Sequence, residues 1–404
     1  MTNGDPLPRI KIAGIVIIAA IIICVGACSI MVFDDQSRGG WDTNWKVSPG
    51  GYYYQDLNLL DDGSIICMSE SDSRVHMIDA QGNEEWRYQK AYMISISVSD
   101  NGWTFFASDN GSLRGDITAL DPYGNLAWEI CEYGQFETPV IGEEFLAMEH
   151  HTLGWNGSYE IVALDLQGNW LWNLAIEGED LVSPSFAENG TLMAFSTDGY
   201  INGISNGEIE WRLHVDEVGD SILALNDAIY YTANYIDQTG DRSHLGCLDL
   251  DGTVRWTFPS DEKPESHMYG PYLGKDDSIL CLYSVASPHG DDGIFSIVEG
   301  EEMWSYQEDY LWGLRVSGDS VLAMTETGPI GLDGNGNLEW RIDVKGRDSP
   351  AISEGDVYFL VYDGALSMRK SLISSEIALA IFIPTIAILL TVLYLVTRKR
   401  SGQE

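Results

Sequence analysis

From residue 43 to residue 370 the chain alternates short apolar runs with turn dipeptides. One stretch shows the unit. Residues 182–186 form an apolar run, and Glu188-Asn189-Gly190 is a turn. Residues 191–195 and 200–204 are two further runs, punctuated by Asp198-Gly199 and Asn206-Gly207. Residues 208–215 then carry Trp211. Asn-Gly and Asp-Gly accept the positive φ that tight hairpins need. The pattern predicts a four-stranded antiparallel meander, with strands A to D. Such a sheet cannot bury both faces alone, so successive copies must stack around an axis as propeller blades.

The copies are marked by Asp-x-x-Gly-x-x-x-Trp. It reads Asp79…Gly82…Trp86, Asp121…Gly124…Trp128, Asp165…Gly168…Trp172, Asp249…Gly252…Trp256 and Asp333…Gly336…Trp340. Gly207…Trp211 and Gly300…Trp304 keep the spacing without the Asp, and Trp45 precedes the series. The tryptophans recur about every forty residues, a repeat architecture's period. The box places the Asp at the end of strand C, the Gly in the C–D turn and the Trp on outermost strand D. There the eight Trp side chains are expected to wedge between sheets as structural residues. Residues 43–47 read as a lone strand D. Residues 350–353, 356–362 and 365–370 read as strands A, B and C of a blade that lacks its own D. The prediction is an all-β, eight-bladed propeller of four-stranded antiparallel blades, closed by the N- and C-terminal strands, which removes an open sheet edge.

Two segments break this rhythm. Residues 12–33 and 377–397 are uncharged and apolar, long enough to cross a bilayer as helices. Arg9 and Lys11 precede the first, and Arg398-Lys399-Arg400 follows the second. Basic outer flanks put both tails, 1–11 and 398–404, in the cytoplasm and the propeller outside the cell membrane. Residues 34–42 and 371–376 are linkers. Val25-Gly26-Ala27-Cys28 also fits a lipid-attachment box, and cleavage before Cys28 would replace the first helix by a lipid anchor. Residues 29–33 stay apolar, as an uncleaved span would. Both links join the propeller beside the cut C–D turn. The B–C and D–A loops should therefore face away from the membrane.

Charge narrows the partners. The chain has 62 Asp and Glu against 22 Lys and Arg, a formal net charge of −40. That excess repels nucleic acid and anionic headgroups. A solvated acidic exterior and a cation-binding or salt-adapted one both fit. Cys67, Cys131, Cys247 and Cys281 fall in strands of different blades and read as core thiols, with no paired spacing for a disulfide or metal.

Candidate chemistry collects in the B–C loops, expected at 149–159, 233–244 and 286–293. They hold His150, His151, Trp155, Tyr159, Tyr235, Arg242, His244 and His289, and His267 lies in the D–A loop 259–267. The eight residues of the B–C loops are the candidate binding set. The histidines suit a pH-responsive or metal site, or plain solvated loops, and no ligand spacing selects a metal. Asn110, Asn156 and Asn189 begin glycosylation sequons, and each is also an ordinary Asn-Gly turn.

The boxes at 117–128, 161–172 and 245–256 resemble the PQQ-like, or quinoprotein-alcohol-dehydrogenase-like, β-propeller repeat. The resemblance covers most of residues 41–370. Within that family the chain is similar to membrane-anchored, non-catalytic scaffolds related to the outer-membrane assembly lipoprotein. For the family's enzymes the resemblance implies a quinone cofactor, calcium and a disulfide between adjacent cysteines. This chain has no adjacent cysteine pair and no c-type haem motif. The expectation is a scaffold without cofactor that binds a protein or surface polymer. A PQQ-dependent dehydrogenase is one alternative. The other is a receptor subunit signalling through a membrane partner, because tails this short hold no output domain.

Overall fold

A computed structural model describes residues 41–370 apart from 110–112, 153–158, 177–180, 188–189, 197–198, 216–220, 226, 238–239, 265 and 286–291. The chain divides into two compact units, the propeller unit 44–367 and a unit of 1–43 with 368–404. Among the described residues no helix is long and apolar enough to cross a membrane. The apolar segments 12–33 and 377–397, with Cys28, lie outside the described residues.

Eight antiparallel sheets follow one another; six are plain four-stranded A-B-C-D meanders, and the third is five-stranded, its strand A in two pieces, Gln135–Phe136 and Val140–Ile141. Blade one is Tyr54–Leu59, Ile65–Ser69, Arg74–Ile78 and Glu84–Gln89. The eighth is Ala351–Ser353, Asp356–Val361 and Gly364–Lys370, with Trp41–Val47 as its outer strand. The expected split blade is therefore present. At its seam Asn44 donates to Asp356 at 2.7 Å, and Lys46 pairs with Asp363 at 3.0 Å.

Burial explains the strand patterns. In blade one, strand B (Ile-Ile-Cys-Met-Ser) is buried throughout, because both sides of the sheet face neighbouring sheets. Strand D alternates exposed and half-buried residues. The core consists of apolar clusters between adjacent blades. Ile66, Met68 and Val75 of blade one pack on Phe106 and Leu120 of blade two. Strand A is bulged in most blades, for example between Gln55 and Asn58 and between Met93 and Ile96. The blade-one bulge bonds to both of its neighbours, Asp56 to blade two and Leu57 to blade eight. Leu57 N–H donates to Asp348, and Ile96 N–H donates to Asp56, each at 2.9 Å.

The box works as an inter-blade clamp. The Asp79 carboxylate accepts from the N–H groups of Gln81 and Asn83 and from the Asn83 amide. Asp121, Asp165 and Asp333 repeat this with Asn125, Asn169 and Asn337. The turned chain puts a glycine under the previous blade's indole. A Cβ at Gly82 would lie 2.6 Å from Trp45, and one at Gly168 2.7 Å from Trp128. Each indole N–H donates to the same turn, Trp45 to Ala80 at 2.9 Å and Trp128 to Leu166 at 3.0 Å. Trp86, Trp172, Trp256 and Trp304 rest on Gly124, Gly207, Gly300 and Gly336 in the same way.

Two tryptophans depart from the expectation. Trp211 and Trp340 lie over Gly203 and Gly331 of their own blades. In the register the residue opposite the Trp is Met77, Ala119 or Ala163 in blades one to three but glycine in these two. Without a Cβ there, the ring folds flat onto its own sheet. Leu213 takes the place of Trp211 against Gly252.

Candidate functional site

In this meander the A–B and C–D turns open on one side and the B–C and D–A connections on the other. Most of the candidate binding residues belong to the second face, and the structure redistributes them. His150 and His151 end strand Phe145–His151, and Tyr159 begins strand Tyr159–Asp165. The expected loop 149–159 is thus strand at both its ends, because cross-strand pairing of His151 with Tyr159 continues the ladder. His150 is buried, stacks on Phe136 at 4.5 Å and donates to the Tyr133 carbonyl at 3.1 Å. Burial holds its pKa below the ordinary imidazole value, an effect partly offset by that carbonyl. His151 stacks on Tyr159 with centroids 4.3 Å apart.

The expected loop 233–244 is a β-hairpin. Strands Ala228–Asp237 and Gly240–Asp249 pair continuously, with Tyr235 opposite Arg242. Alternating β-favouring residues run through what looked like loop composition. His244 lies edge-on to Tyr231 and its pKa is lowered by burial. His267 stands near Tyr269 at 5.8 Å. Trp155, His289 and the sequon residues Asn110, Asn156 and Asn189 lie outside the described residues. Apart from His150 and His151, neighbours on one strand, the described histidines belong to separate blades, and no His/Cys/Asp/Glu group among the described residues is placed to hold a metal.

The same face carries an aromatic patch that the sequence reading missed. Tyr52, Tyr53 and Tyr362 are exposed and mutually packed, at 5.8 Å and 5.0 Å from Tyr362. The Arg347 guanidinium lies 4.5 Å from the Tyr53 ring centre. Tyr92 and Tyr310 occupy the corresponding D–A positions of other blades, 67% and 56% exposed. Tyr53, Tyr92 and Tyr310 all have left-handed backbone, with φ of 60°, 55° and 56°. That conformation is costly for a bulky residue. It is held by N–H groups at the end of strand B, Glu70 to the Tyr53 carbonyl and Asp109 to the Tyr92 carbonyl, each at 3.0 Å. The consequence is an outward-pointing phenol at each junction. The signal available in the sequence was Gly50-Gly51-Tyr52-Tyr53-Tyr54, aromatic residues inside a turn.

The four described cysteines lie in four different blades, and none is in a disulfide. Cys67, Cys247 and Cys281 are buried, as expected, and burial raises their pKa. Cys131 is only half-buried on strand D, a correction to its reading as core. Among the described residues, the separated thiols do not supply the adjacent cysteine pair of the family's enzymes.

A family model described as outer membrane protein assembly factor BamB matches residues 28–258, more than half the chain. Among solved structures, BamB from Moraxella catarrhalis is similar over 81% of this chain and 97% of that one, at 16% identity and a TM-score of 0.57. The quinohemoprotein alcohol dehydrogenase ADHIIG from Pseudomonas putida HK5 is similar over 81% and 77%, at 11% identity and 0.51. The WD40 domain of SCAP from fission yeast is similar over 83% and 95%, at 8% identity and 0.53. Likeness at these identities concerns the fold. Comparison with curated proteins finds no match.

Proposed function

The chain belongs to the PQQ-like propeller family described as outer membrane protein assembly factor BamB, and from that membership we propose that it is a membrane-anchored, extracytoplasmic propeller that binds protein partners without catalysing a reaction. The observation that carries the proposal is the B–C/D–A face. It gathers exposed, backbone-constrained tyrosines and the histidine- and aromatic-bearing strand ends on a rigid scaffold. Tyrosine supplies large contact area at low conformational cost, the property of binding anchors. A surface polymer is a second class of partner for the same face.

Anchoring rests on residues 12–33 and 377–397, or on a lipid at Cys28, and orientation rests on their basic flanks. In the propeller unit Asn44 and Ser367 touch at 3.4 Å, so the chain enters and leaves it at one place, beside the cut C–D turn. The opposite face is then the one free to meet a partner. Outside the cell the sequons at Asn110, Asn156 and Asn189 are open to glycosylation.

The test is crosslinking and capture of the full chain from native membranes. The wild type should retain a specific protein, and Trp155→Ala with Tyr235→Ala should lose it without a change in Tm. Shortening the Asn206-Gly207 turn on the other face should spare it. Capture lost only with the turn variant would reverse the face assignment. Dye reduction with added quinone and calcium would refute the non-catalytic reading.

A further inference from the structure

Grooves between neighbouring blades open on the A–B/C–D face, away from the binding face proposed above. One between blades two and three has a volume of about 840 Å³, within the range of ligand sites. Its floor is apolar: Trp103, Phe105 and Trp128 are lined up at centroid spacings of 6.3 and 6.1 Å, with Ile141 and Leu166 alongside. Its rim carries two exposed carboxylates, Asp100 and Glu143, and no lining residue is basic.

The groove between blades five and six supplies an internal comparison. Its lining corresponds: Trp256 stands for Trp128, Tyr230 for Phe105, and Asp227 in the A–B turn for Asp100. There the chain provides its own cation. Arg255 precedes Trp256 and lies in the groove, with Nε 2.5 Å from Asp249 and Nη1 3.1 Å from Asp227. The residue preceding Trp128 is Ala127. The blade two–three groove thus keeps the aromatic floor and acidic rim but lacks the guanidinium. A cation over an aromatic face, next to carboxylates, is favoured by both the ring quadrupoles and the opposite charges.

We propose that the groove between blades two and three is a second binding site, for a peptide segment of another protein that inserts a Lys or Arg side chain between apolar neighbours. The incoming cation takes the position that Arg255 holds in the corresponding groove. The apolar neighbours cover Ile141 and Leu166.

The test uses the full chain in nanodiscs of zwitterionic lipid and a capped Leu-Arg-Leu-Arg-Leu peptide, read by calorimetry. Wild type should bind at one site, and the matching Leu-Glu-Leu-Glu-Leu peptide should not bind. Ala127→Arg should fill the groove from within and weaken binding at least tenfold, as should Asp100→Asn with Glu143→Gln. Asp276→Asn with Asp277→Asn changes charge equally beside the other groove and should leave affinity within about twofold. Arg255→Ala should raise the stoichiometry by opening that second groove. Equal losses from the two charge-matched double variants would show that the acidic shell binds the peptide, and would overturn the proposal. So would full binding by Ala127→Arg, or equal affinity for free arginine amide, which would assign the groove to a small cation. Both double variants leave the tyrosine face intact, so loss of the groove would not imply loss of the partner captured there.

Discussion

The clamp between blades can be measured as a coupling energy. Trp86 projects from strand D of blade one onto the turn of blade two. Its N–H donates to the Pro122 carbonyl at 3.0 Å, and its ring packs beside the Ile66, Phe106 and Leu120 cluster. Deleting a fully buried large aromatic costs about 3–5 kcal/mol. This ring is half-buried, so Trp86→Ala should cost about 2–3 kcal/mol, including about 1 for the hydrogen bond. Gly124 has φ of +76°, and an added Cβ would lie 2.5 Å from the indole. Gly124→Ala should cost about 1 kcal/mol for the left-handed backbone and about 2 more for displacing the ring. With Trp86 already alanine, only the backbone part remains. The double variant should therefore be about 2 kcal/mol more stable than the sum of the singles implies, as expected for groups in contact. Denaturant unfolding of all four proteins measures the cycle. Strict additivity would refute the wedge.

Asp56 gives a pH test. Burial raises its pKa to about 6, partly offset by the Ile96 N–H, with the Asp348 charge adding to the rise. The folded state then binds a proton that the unfolded state lacks between the ordinary 3.8 and about 6. Asp56's contribution to stability therefore increases as pH falls through that window and is lost again as pH rises. Asp56→Asn should stabilise the protein at pH 7 by at most about 3 kcal/mol and flatten this part of the difference profile; an unchanged difference between pH 4 and pH 7 would contradict it. The box carboxylates act oppositely. The hydrogen bonds from Asn125 hold Asp121 below its ordinary pKa, so that contribution persists above the unfolded value and is lost in acid. Replacing Asn125 by Ala should shift the acid limb of unfolding towards higher pH, and an unmoved limb would show that the amide is dispensable. Protease added to intact cells should digest the propeller; protection until lysis would contradict the extracytoplasmic orientation.

The fold was legible because one large residue recurs at one place in every blade. Trp45 before the first box, and three strands after the last, announced the split blade. The finer arrangement depends on cross-strand partners that spacing alone does not expose. Gly203 and Gly331 matter only because they stand opposite Trp211 and Trp340. The Asn following four of the five glycines of complete boxes, Asn83, Asn125, Asn169 and Asn337, was visible but unread, although it completes the Asp hydrogen bonds. The tyrosine patch joins residues from opposite ends of the chain, Tyr53 and Tyr362, through ring closure. Loop composition misled at 233–244, where Asn, Gly and Asp are absorbed into an extended hairpin. The difference between Ala127 and Arg255 acquires meaning only when two grooves are compared.

The central claim is that the B–C/D–A face meets a protein partner outside the membrane. A photo-crosslinking amino acid placed singly at Tyr53, at Trp155 and at Asn206 tests it in intact cells. Irradiation should yield the same covalent partner adduct from Tyr53 and Trp155 and none from Asn206. An adduct from Asn206 alone, or none from any position with the full chain present at the surface, would contradict the account.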